Sequence, residues 1–337
     1  MRPFTHTRAA DIAQAVRFGR DSGQGQIDAP VQYLAGGTNL IDLMKLDVLR
    51  PQRLIDLGAL RRAYGGIEAA PDRLKLGALA TMAAAAADPG VLRDYPAVAQ
   101  SLQLAASAQI RNMATLGGNV LQRTRCTYFR DTSWTACNKR NPGSGCAALE
   151  GVNRNHAVLG VDGTCIAQYP GDFGVALAAL GAKVEISTAQ ATRSIDFESL
   201  HRPVAGQPHI EWALRPGEII TAFEIPGGAW TRRSLYLKIR DRASYEFAIA
   251  SAAVALDMDG DIVRQARVGL GGAAYRPWRA RDAEALLVGK PLTEAAAEAA
   301  AHAAFADAVT HGANAYKPEL GRRTLVRALL HAKAMEV

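Results

Sequence analysis

Short runs in which hydrophobic and polar residues alternate dominate the start of the chain, and this periodicity is typical of β-strands. The clearest runs cover residues 31–35, 53–57 and 73–77. Helical spacing appears between them, at 11–16 and again at 40–45. We therefore predict an opening segment in which strands and short helices follow one another.

The middle of the chain is more helical. Thr81 opens an alanine-rich helix that Asp-Pro-Gly ends at 88–90, and a second helix is predicted over 96–108. The apolar run 172–180 predicts a helix that leads into a strand at 183–186. After a boundary at Pro226-Gly227-Gly228, three strands and two closing helices are predicted, over 234–239, 249–258, 262–270, 293–309 and 320–335. Strands followed by helices indicate an α+β domain.

Residues 123–165 show neither the helical nor the strand pattern of hydrophobic residues. A loop this long needs something other than a hydrophobic core to organise it. All four cysteines of the chain lie here, with the spacing C-x10-C-x8-C-x18-C: Cys126, Cys137, Cys146 and Cys165. Four thiolates complete the ligand set of a zinc ion or an iron–sulfur cluster, and two disulfides are a further interpretation. The spacing alone leaves these three alternatives open.

Charge is concentrated in the same region. The 337 residues carry a formal net charge of +7, and the window 111–154 contributes +5 of it, from seven basic and two acidic residues. A basic loop with nearby aromatic residues also fits nucleic-acid binding, which remains an alternative. No apolar run approaches the roughly 20 residues of a membrane span, and the N-terminus lacks the apolar core of a signal peptide. We therefore expect no membrane insertion and no export signal in this chain itself.

Two Gly-Gly segments carry the remaining chemistry: Leu34-Ala35-Gly36-Gly37-Thr38-Asn39 and Ala114-Thr115-Leu116-Gly117-Gly118-Asn119-Val120. Without a Cβ, each turn lets backbone N–H groups approach a phosphate. Neither segment has the spacing of a Rossmann or P-loop motif. Together they predict a pair of loops that hold one extended pyrophosphate from two sides.

These loops occur in the same order as in a known family. Together with 169–172 (Tyr-Pro-Gly-Asp), 217–220 (Gly-Glu-Ile-Ile) and the run 236–248, they resemble the FAD subunits of the molybdenum hydroxylases. That family includes xanthine dehydrogenases, carbon monoxide dehydrogenases and aldehyde oxidoreductases. The resemblance implies an α+β protein with a two-subdomain FAD-binding fold of the PCMH type and a C-terminal α+β domain like that of carbon monoxide dehydrogenase flavoproteins. The implied limits are 1–60 and 61–226 for the two subdomains, the second with an insertion at 123–166, and 227–337 for the C-terminal domain.

The resemblance also implies which residues bind FAD. Asp172 would bond the adenosine portion, although it could instead cap the helix that begins at Phe173, and Ile220 would pack near the ring systems. The full implied set is Leu34, Ala35, Gly36, Gly37, Thr38, Asn39, Leu40, Ala114, Thr115, Gly117, Gly118, Asn119, Asp172 and Ile220.

About fifty residues separate Asn119 from Asp172, where ordinary family members have almost none, and all four cysteines lie in that excess. The insertion is similar to that of the periplasmic aldehyde oxidoreductases, and benzoyl-CoA-type reductases are the nearest rival. This similarity implies a [4Fe–4S] cluster on Cys126, Cys137, Cys146 and Cys165, close to the flavin. His156 is then expected to pack or hydrogen-bond in the loop rather than to bind metal.

The function implied is electron transfer. A molybdenum-cofactor subunit would oxidise an aldehyde, and a small [2Fe–2S] subunit would relay electrons to this FAD and on to an external acceptor. We find no catalytic dyad or triad, and Asp42 with Lys45 is interpreted as a surface pair on one helix. The heterotrimer would be periplasmic through the signal of a partner; without such a partner the protein would stay in the cytoplasm. A free-standing flavin oxidoreductase is the other alternative.

Overall fold

A small parallel sheet opens the chain in the computed structural model, which describes residues 1–23, 26–188 and 190–337. Its strands are β1 (Thr5–Arg8), β2 (Val31–Leu34) and β3 (Arg53–Asp56), with β3 in the centre. Helices α1 (Ile12–Gly19) and α2 (Leu40–Lys45) accompany the sheet. The Asp11 side chain begins α1 by accepting a hydrogen bond from the Gln14 backbone N–H, as an N-cap should.

The second sheet is antiparallel, in the order β4-β5-β8-β6-β7. Its strands are β4 (Ile67–Ala69), β5 (Arg73–Gly77), β6 (Lys183–Ser187), β7 (Thr192–Asp196) and β8 (Ile219–Pro226). The sequence patterns predicted β5 and β6 but missed β8. As the central strand, β8 buries its first five residues in succession, so it lacks the alternation by which strands are recognised.

Eight helices follow α2 in the described chain: α3 (Arg61–Tyr64), α4 (Met82–Ala87), α5 (Pro89–Asp94), α6 (Pro96–Gln103), α7 (Ala108–Met113), α8 (Leu116–Val120), α9 (Thr127–Arg130) and α10 (Asp172–Leu180). Thr81 caps α4, as its position predicted. The helix predicted over 96–108 is interrupted after Gln103, because Ala106 adopts a left-handed conformation and Ser107 caps a new helix. Short 3-10 turns lie at Arg20–Ser22, Gly58–Leu60, Phe197–Ser199 and Gly312–Asn314.

The C-terminal part is an antiparallel sheet covered by helices. Its strands are β9 (Ser234–Ile239), β10 (Ala250–Asp259), β11 (Ile262–Gly271) and β12 (Trp278–Arg279), and its helices are α11 (Ala229–Arg232), α12 (Arg281–Leu287), α13 (Glu294–Ala304) and α14 (Lys317–Lys333). Val254, Leu325 and Leu329 share one buried apolar cluster between sheet and helices. The predicted α+β organisation is confirmed. No helix among the described residues is both long and apolar enough to cross a membrane.

Helix α10 joins the second sheet to the C-terminal part, and all nine of its residues are buried. Strand β11 approaches it closely through two glycines. A Cβ on Gly269 would lie 2.6 Å from the Val175 carbonyl oxygen, and one on Gly271 would lie 2.5 Å from Val175 Cγ2. Glycine at these positions is therefore a packing requirement of the interface.

A buried ion pair completes the interface. Lys238 Nζ donates to Asp172 Oδ2 at 2.7 Å, and Tyr236 OH donates to Asp172 Oδ1 at 2.6 Å. Both members of the pair are almost fully buried. Burial raises the pKa of the Asp172 carboxyl, and Lys238 opposes that shift. Asp172 thus links the start of α10 to strand β9.

Replacing Asp172 by Asn is expected to lower the free energy of unfolding by about 3 kcal/mol, because it leaves Lys238 as an unpaired buried charge. Urea denaturation followed by circular dichroism measures this change. The control is Asp259→Asn in the exposed Asp259–Arg264 pair, with an effect below about 0.5 kcal/mol. Equal effects of the two substitutions would contradict a stabilising role for the buried pair.

Candidate functional site

A cavity of about 590 Å³ lies where the first sheet, the second glycine loop and the segment before β8 meet. Its volume is in the range of sites that hold small molecules and cofactors. Three stretches of chain supply much of the lining: residues 35–40 after β2, residues from 115–118 at the start of α8, and residues from 210–220. The first two are the glycine loops that the sequence predicted to face each other.

The first loop is packed against the backbone of the second. A Cβ on Gly36 would lie 2.2 Å from the Met113 carbonyl oxygen and 2.9 Å from Ala114 Cα. Gly37 has φ +73°, a left-handed conformation that favours glycine. The two glycines therefore have separate tasks: Gly36 permits the contact between the loops, and Gly37 permits the turn.

The second loop is hydrogen-bonded to Ala78, the residue that follows strand β5. Thr115 Oγ1 accepts a hydrogen bond from the Gly118 N–H at 3.3 Å and caps α8. The Gly117 N–H donates to the Ala78 carbonyl oxygen at 2.8 Å, and a Cβ on Gly117 would lie 3.2 Å from Ala78 Cβ. The loop is thus held at both of its glycines while it faces the cavity.

Two amide groups of the cavity wall lack partners within the described chain. Gln32 Nε2 and Asn39 Nδ2 are buried, and neither donates a hydrogen bond to another group there. A buried donor without an acceptor costs about 1–3 kcal/mol. Both side chains belong to residues that line the cavity. The cavity is therefore suited to a ligand with hydrogen-bond acceptors.

Ten of the fourteen residues predicted to bind FAD line this cavity: Ala35, Gly36, Gly37, Thr38, Asn39, Leu40, Thr115, Gly117, Gly118 and Ile220. The other four lie outside its lining. Leu34 and Ala114 pack in neighbouring apolar clusters, and Asn119 Nδ2 donates to Met82 Sδ at 3.4 Å. The partners of Asp172 are Lys238 and Tyr236, at the contact between domains. In the structure this carboxylate therefore joins α10 to strand β9, and its contact with the adenosine portion stays a prediction.

Most of the third stretch of the lining, at 210–220, was not predicted from the sequence. It includes Trp212, Arg215 and Ile219, with Arg193 and Arg202 from nearby segments. Only its last part, within the motif 217–220, had a recognisable signal. The rest has no periodic pattern, because its backbone follows the cavity instead of a helix or strand.

The predicted insertion lies against the same cavity. Asn39 Oδ1 accepts a hydrogen bond from the Arg123 N–H at 3.1 Å, so the first glycine loop is tied to the start of the insertion. The Arg123 guanidinium stacks on Trp212 at 4.7 Å and pairs with Glu211 at 2.9 Å. Lys139 pairs with the other oxygen of Glu211 at 2.5 Å. A buried ion network thus joins the cavity wall to the cysteine segment.

Helix α2 is also bonded to the cysteine segment. Asp42 accepts hydrogen bonds from Arg125 at 3.1 Å and from Arg130 at 2.8 Å. The interpretation of Asp42 and Lys45 as a surface pair was wrong, since both arginine partners come from the insertion. Sequence spacing within one helix could not reveal them, because they lie more than eighty residues away in the chain.

The four cysteines have free thiols and lie close together. Cys137 and Cys146 are partners in an antiparallel bridge, and the Cys146 and Cys165 side chains hydrogen-bond to each other. Cys126 packs against three apolar clusters that contain, in turn, Cys137, Cys165 and Cys146. Burial raises the pKa of the Cys126 thiol to about 12, whereas the hydrogen bond with Cys165 lowers the pKa of Cys146. The structure therefore does not support the interpretation of these cysteines as two disulfides.

The thiols do not converge on one point. In the part of the chain that the structure describes, no group of three or more histidine, cysteine or acidic side chains is arranged to hold a single metal ion. His156, which was expected to hydrogen-bond within the loop, has its Nε2 3.1 Å from Cys126 Sγ. Burial, with a contribution from Lys317, lowers the pKa of His156 to about 4, so its imidazole is neutral at pH 7.

Positive charge is buried around these thiols. Arg123, Lys139 and Arg140 are each less than a tenth exposed, and among the described residues Glu211 is the one carboxylate that pairs with any of them. Arg140 donates to the carbonyl oxygens of Tyr128 and Phe129 instead. Buried charges are stable when opposite charges accompany them. The segment is therefore suited to a negatively charged centre, such as metal-bound thiolates.

Comparison with known proteins agrees with this geometry. A family model described as the FAD binding domain in molybdopterin dehydrogenase matches residues 2–228, and one described as the CO dehydrogenase flavoprotein C-terminal domain matches residues 235–332. The chain is 43% identical to the aldehyde oxidoreductase FAD-binding subunit PaoB of Escherichia coli K12, over 99% of both chains. It is 28% identical to the carbon monoxide dehydrogenase medium chain of Afipia carboxidovorans, over 98% of this chain and 97% of that one.

A solved structure is also similar along the whole length. Reconstituted CO dehydrogenase from Oligotropha carboxidovorans superposes with a TM-score of 0.76 at 26% identity, and the match covers 100% of both chains. The two-part FAD-binding fold with a C-terminal flavoprotein domain, predicted from the sequence, is confirmed.

Replacing Gly36 by Ala is expected to weaken flavin binding at least about tenfold, because the added Cβ overlaps the Met113 carbonyl and separates the two loops. Titration of the apoprotein with FAD, followed by flavin fluorescence, measures the change. Gly66→Ala is the matched control, since nothing lies within 4 Å of its Cβ position. Unchanged affinity in the Gly36 variant would show that the contact between the loops does not shape the site.

Proposed function

Because the chain belongs to the FAD-binding family of the molybdopterin dehydrogenases, we propose that it is the electron-transfer subunit of a molybdenum-dependent aldehyde oxidoreductase, holding both FAD and a [4Fe–4S] cluster. The observation that carries the proposal is the direct bond between the first glycine loop and the cysteine segment, from the Arg123 N–H to Asn39 Oδ1. It ties a cofactor cavity and a group of thiols to one another.

FAD fits the cavity by three features of this chain. The loops at 35–40 and 115–118 line the cavity, with the N–H groups of the second loop bonded inside the protein, and Gln32 and Asn39 offer unused donors to the oxygen atoms of the dinucleotide. Arg202 and Arg215 line the cavity without an ion-pair partner in the described chain, which suits a ligand that carries phosphates. When bound, FAD supplies a carrier that takes up two electrons and can release them one at a time.

An iron–sulfur cluster is the proposed occupant of the cysteine segment. The surplus of buried cations supports an anionic metal–thiolate centre and argues against disulfides, which carry no charge. Zinc with four thiolates is also anionic, but it binds ligands that converge on a single ion and it is redox-inert. A four-iron cluster takes one thiolate on each iron, so its ligands surround a larger body. A redox-active centre also suits a position beside a flavin.

The proposed role of this subunit is to receive and pass on electrons, not to bind the aldehyde. The molybdenum-cofactor large subunit and the [2Fe–2S] small subunit of a heterotrimer would supply them, and an external acceptor would take them. The similarity to PaoB over 99% of both chains supports the aldehyde oxidoreductase assignment, since that relative is named as the FAD-binding subunit of such an enzyme. By analogy with the subgroup that has a similar insertion, we propose a periplasmic complex exported through a partner's signal.

Anaerobically purified protein is expected to contain FAD and a full [4Fe–4S] complement, measured by absorption spectroscopy with iron, sulfide and flavin assays. Cys126→Ser is expected to lose most of its iron because a thiolate ligand is removed, while the flavin cavity is retained. Thr132→Ala, on the exposed part of the same segment, is the control with full iron content. Zinc in place of iron, with no flavin, would overturn the proposal.

The isolated chain is expected to show no aldehyde oxidation, because the aldehyde site lies on the molybdenum subunit. Coexpression with the two partner subunits should restore reduction of an artificial acceptor such as ferricyanide by an aromatic aldehyde, measured by steady-state kinetics. Aldehyde oxidation by the isolated chain would instead favour a free-standing flavin oxidoreductase.

A further inference from the structure

Lys317 is the first residue of α14 and is completely buried. Its Nζ donates to Gln168 Oε1 at 2.7 Å and to the Gly272 carbonyl oxygen at 2.6 Å. Within the described chain, no carboxylate forms an ion pair with it. Lys317 is thus held by two neutral acceptors in the interior of the protein.

The other two lysines at comparable depth are paired differently. Lys139 pairs with Glu211, and Lys238 pairs with Asp172. Lys317 also occupies the N-terminal end of a seventeen-residue helix, where the helix dipole disfavours a cation. Burial, with a contribution from Arg154, lowers the pKa of Lys317 to about 7. The position is therefore unfavourable for a cation unless a negative charge lies nearby.

Two residues connect Lys317 with the cysteine segment. Gln168, which accepts its hydrogen bond, follows Cys165 by three residues. His156, whose imidazole feels the charge of Lys317, contacts Cys126 at 3.1 Å. Lys317 is therefore bonded to Gln168 near the end of the cysteine segment, and its charge acts on the histidine that contacts Cys126.

We propose that Lys317 is the counter-charge that the C-terminal domain supplies to the anionic metal–thiolate centre on Cys126, Cys137, Cys146 and Cys165. This inference rests on the proposed function, since it requires that centre to be present. A cluster with four thiolates is negative, and reduction by one electron makes it more negative. A nearby cation stabilises the reduced form more than the oxidised form. Lys317 therefore acts as a positioning residue that raises the reduction potential of the cluster.

The test compares the assembled wild-type complex with its Lys317→Met variant. The cluster potential is measured by a reductive titration followed by electron paramagnetic resonance, and it is expected to shift to a lower value in the variant. Lys333→Met is the matched control, because Lys333 lies at the other end of the same helix and pairs with Asp261 at the surface. It should keep the wild-type potential. An unchanged potential in a fully loaded Lys317→Met variant would overturn the inference.

A second variant keeps the test decisive if Lys317→Met fails to retain the cluster. Lys317→Arg preserves the charge, so retention of iron in Lys317→Arg, with loss in Lys317→Met, would support a counter-charge. Loss of iron from both variants would show that shape rather than charge matters, and would overturn the inference. Wild-type protein that contains no iron–sulfur would overturn the proposed function itself, and the role of Lys317 with it.

Discussion

Positive charge buried beside four thiols is the constraint on which the rest of this structure depends. Arg123, Lys139, Arg140 and Lys317 lie in the interior around the cysteine segment, and Glu211 is the one carboxylate that pairs with any of them in the described chain. Interior charges of one sign destabilise a fold unless charges of the other sign accompany them. The anionic centre proposed for the thiols would supply the missing charge. The stability of the segment would therefore depend on the charge of that centre.

The same buried charged residues connect the cavity with the cysteine segment. Arg123 bonds the first glycine loop through its backbone and stacks on Trp212 in the cavity wall, while its guanidinium shares Glu211 with Lys139. Burial alone would raise the pKa of Glu211, but the two cations lower it and keep it ionised. One carboxylate thus holds the cavity wall on one side and the cysteine segment on the other.

The limits of sequence-based prediction follow from the range of each interaction. The glycine loops were predictable because their function depends on local backbone geometry, and ten of the fourteen proposed flavin residues line the cavity. The ion pair of Asp172 was not predictable, because its partner Lys238 lies on a strand sixty-six residues further on, at a contact between domains. Asp42 was misinterpreted for the same reason. Strand β8 was missed because a buried central strand has no alternation to detect.

The two ends of the cysteine segment, which we predict to be an insertion, meet in the structure. Tyr169 OH donates to the Val120 carbonyl oxygen at 3.0 Å, and Thr124 Oγ1 donates to that of Gln168 at 2.9 Å, so the chain leaves and re-enters the domain at one place. A loop with adjacent ends adds little strain to its host, whatever its length. Inside the loop, however, one helical turn and a few small apolar clusters must hold several buried cations. If the proposed metal centre binds here, ordering of this segment would be coupled to its binding, whereas the flavin cavity is built on the sheets.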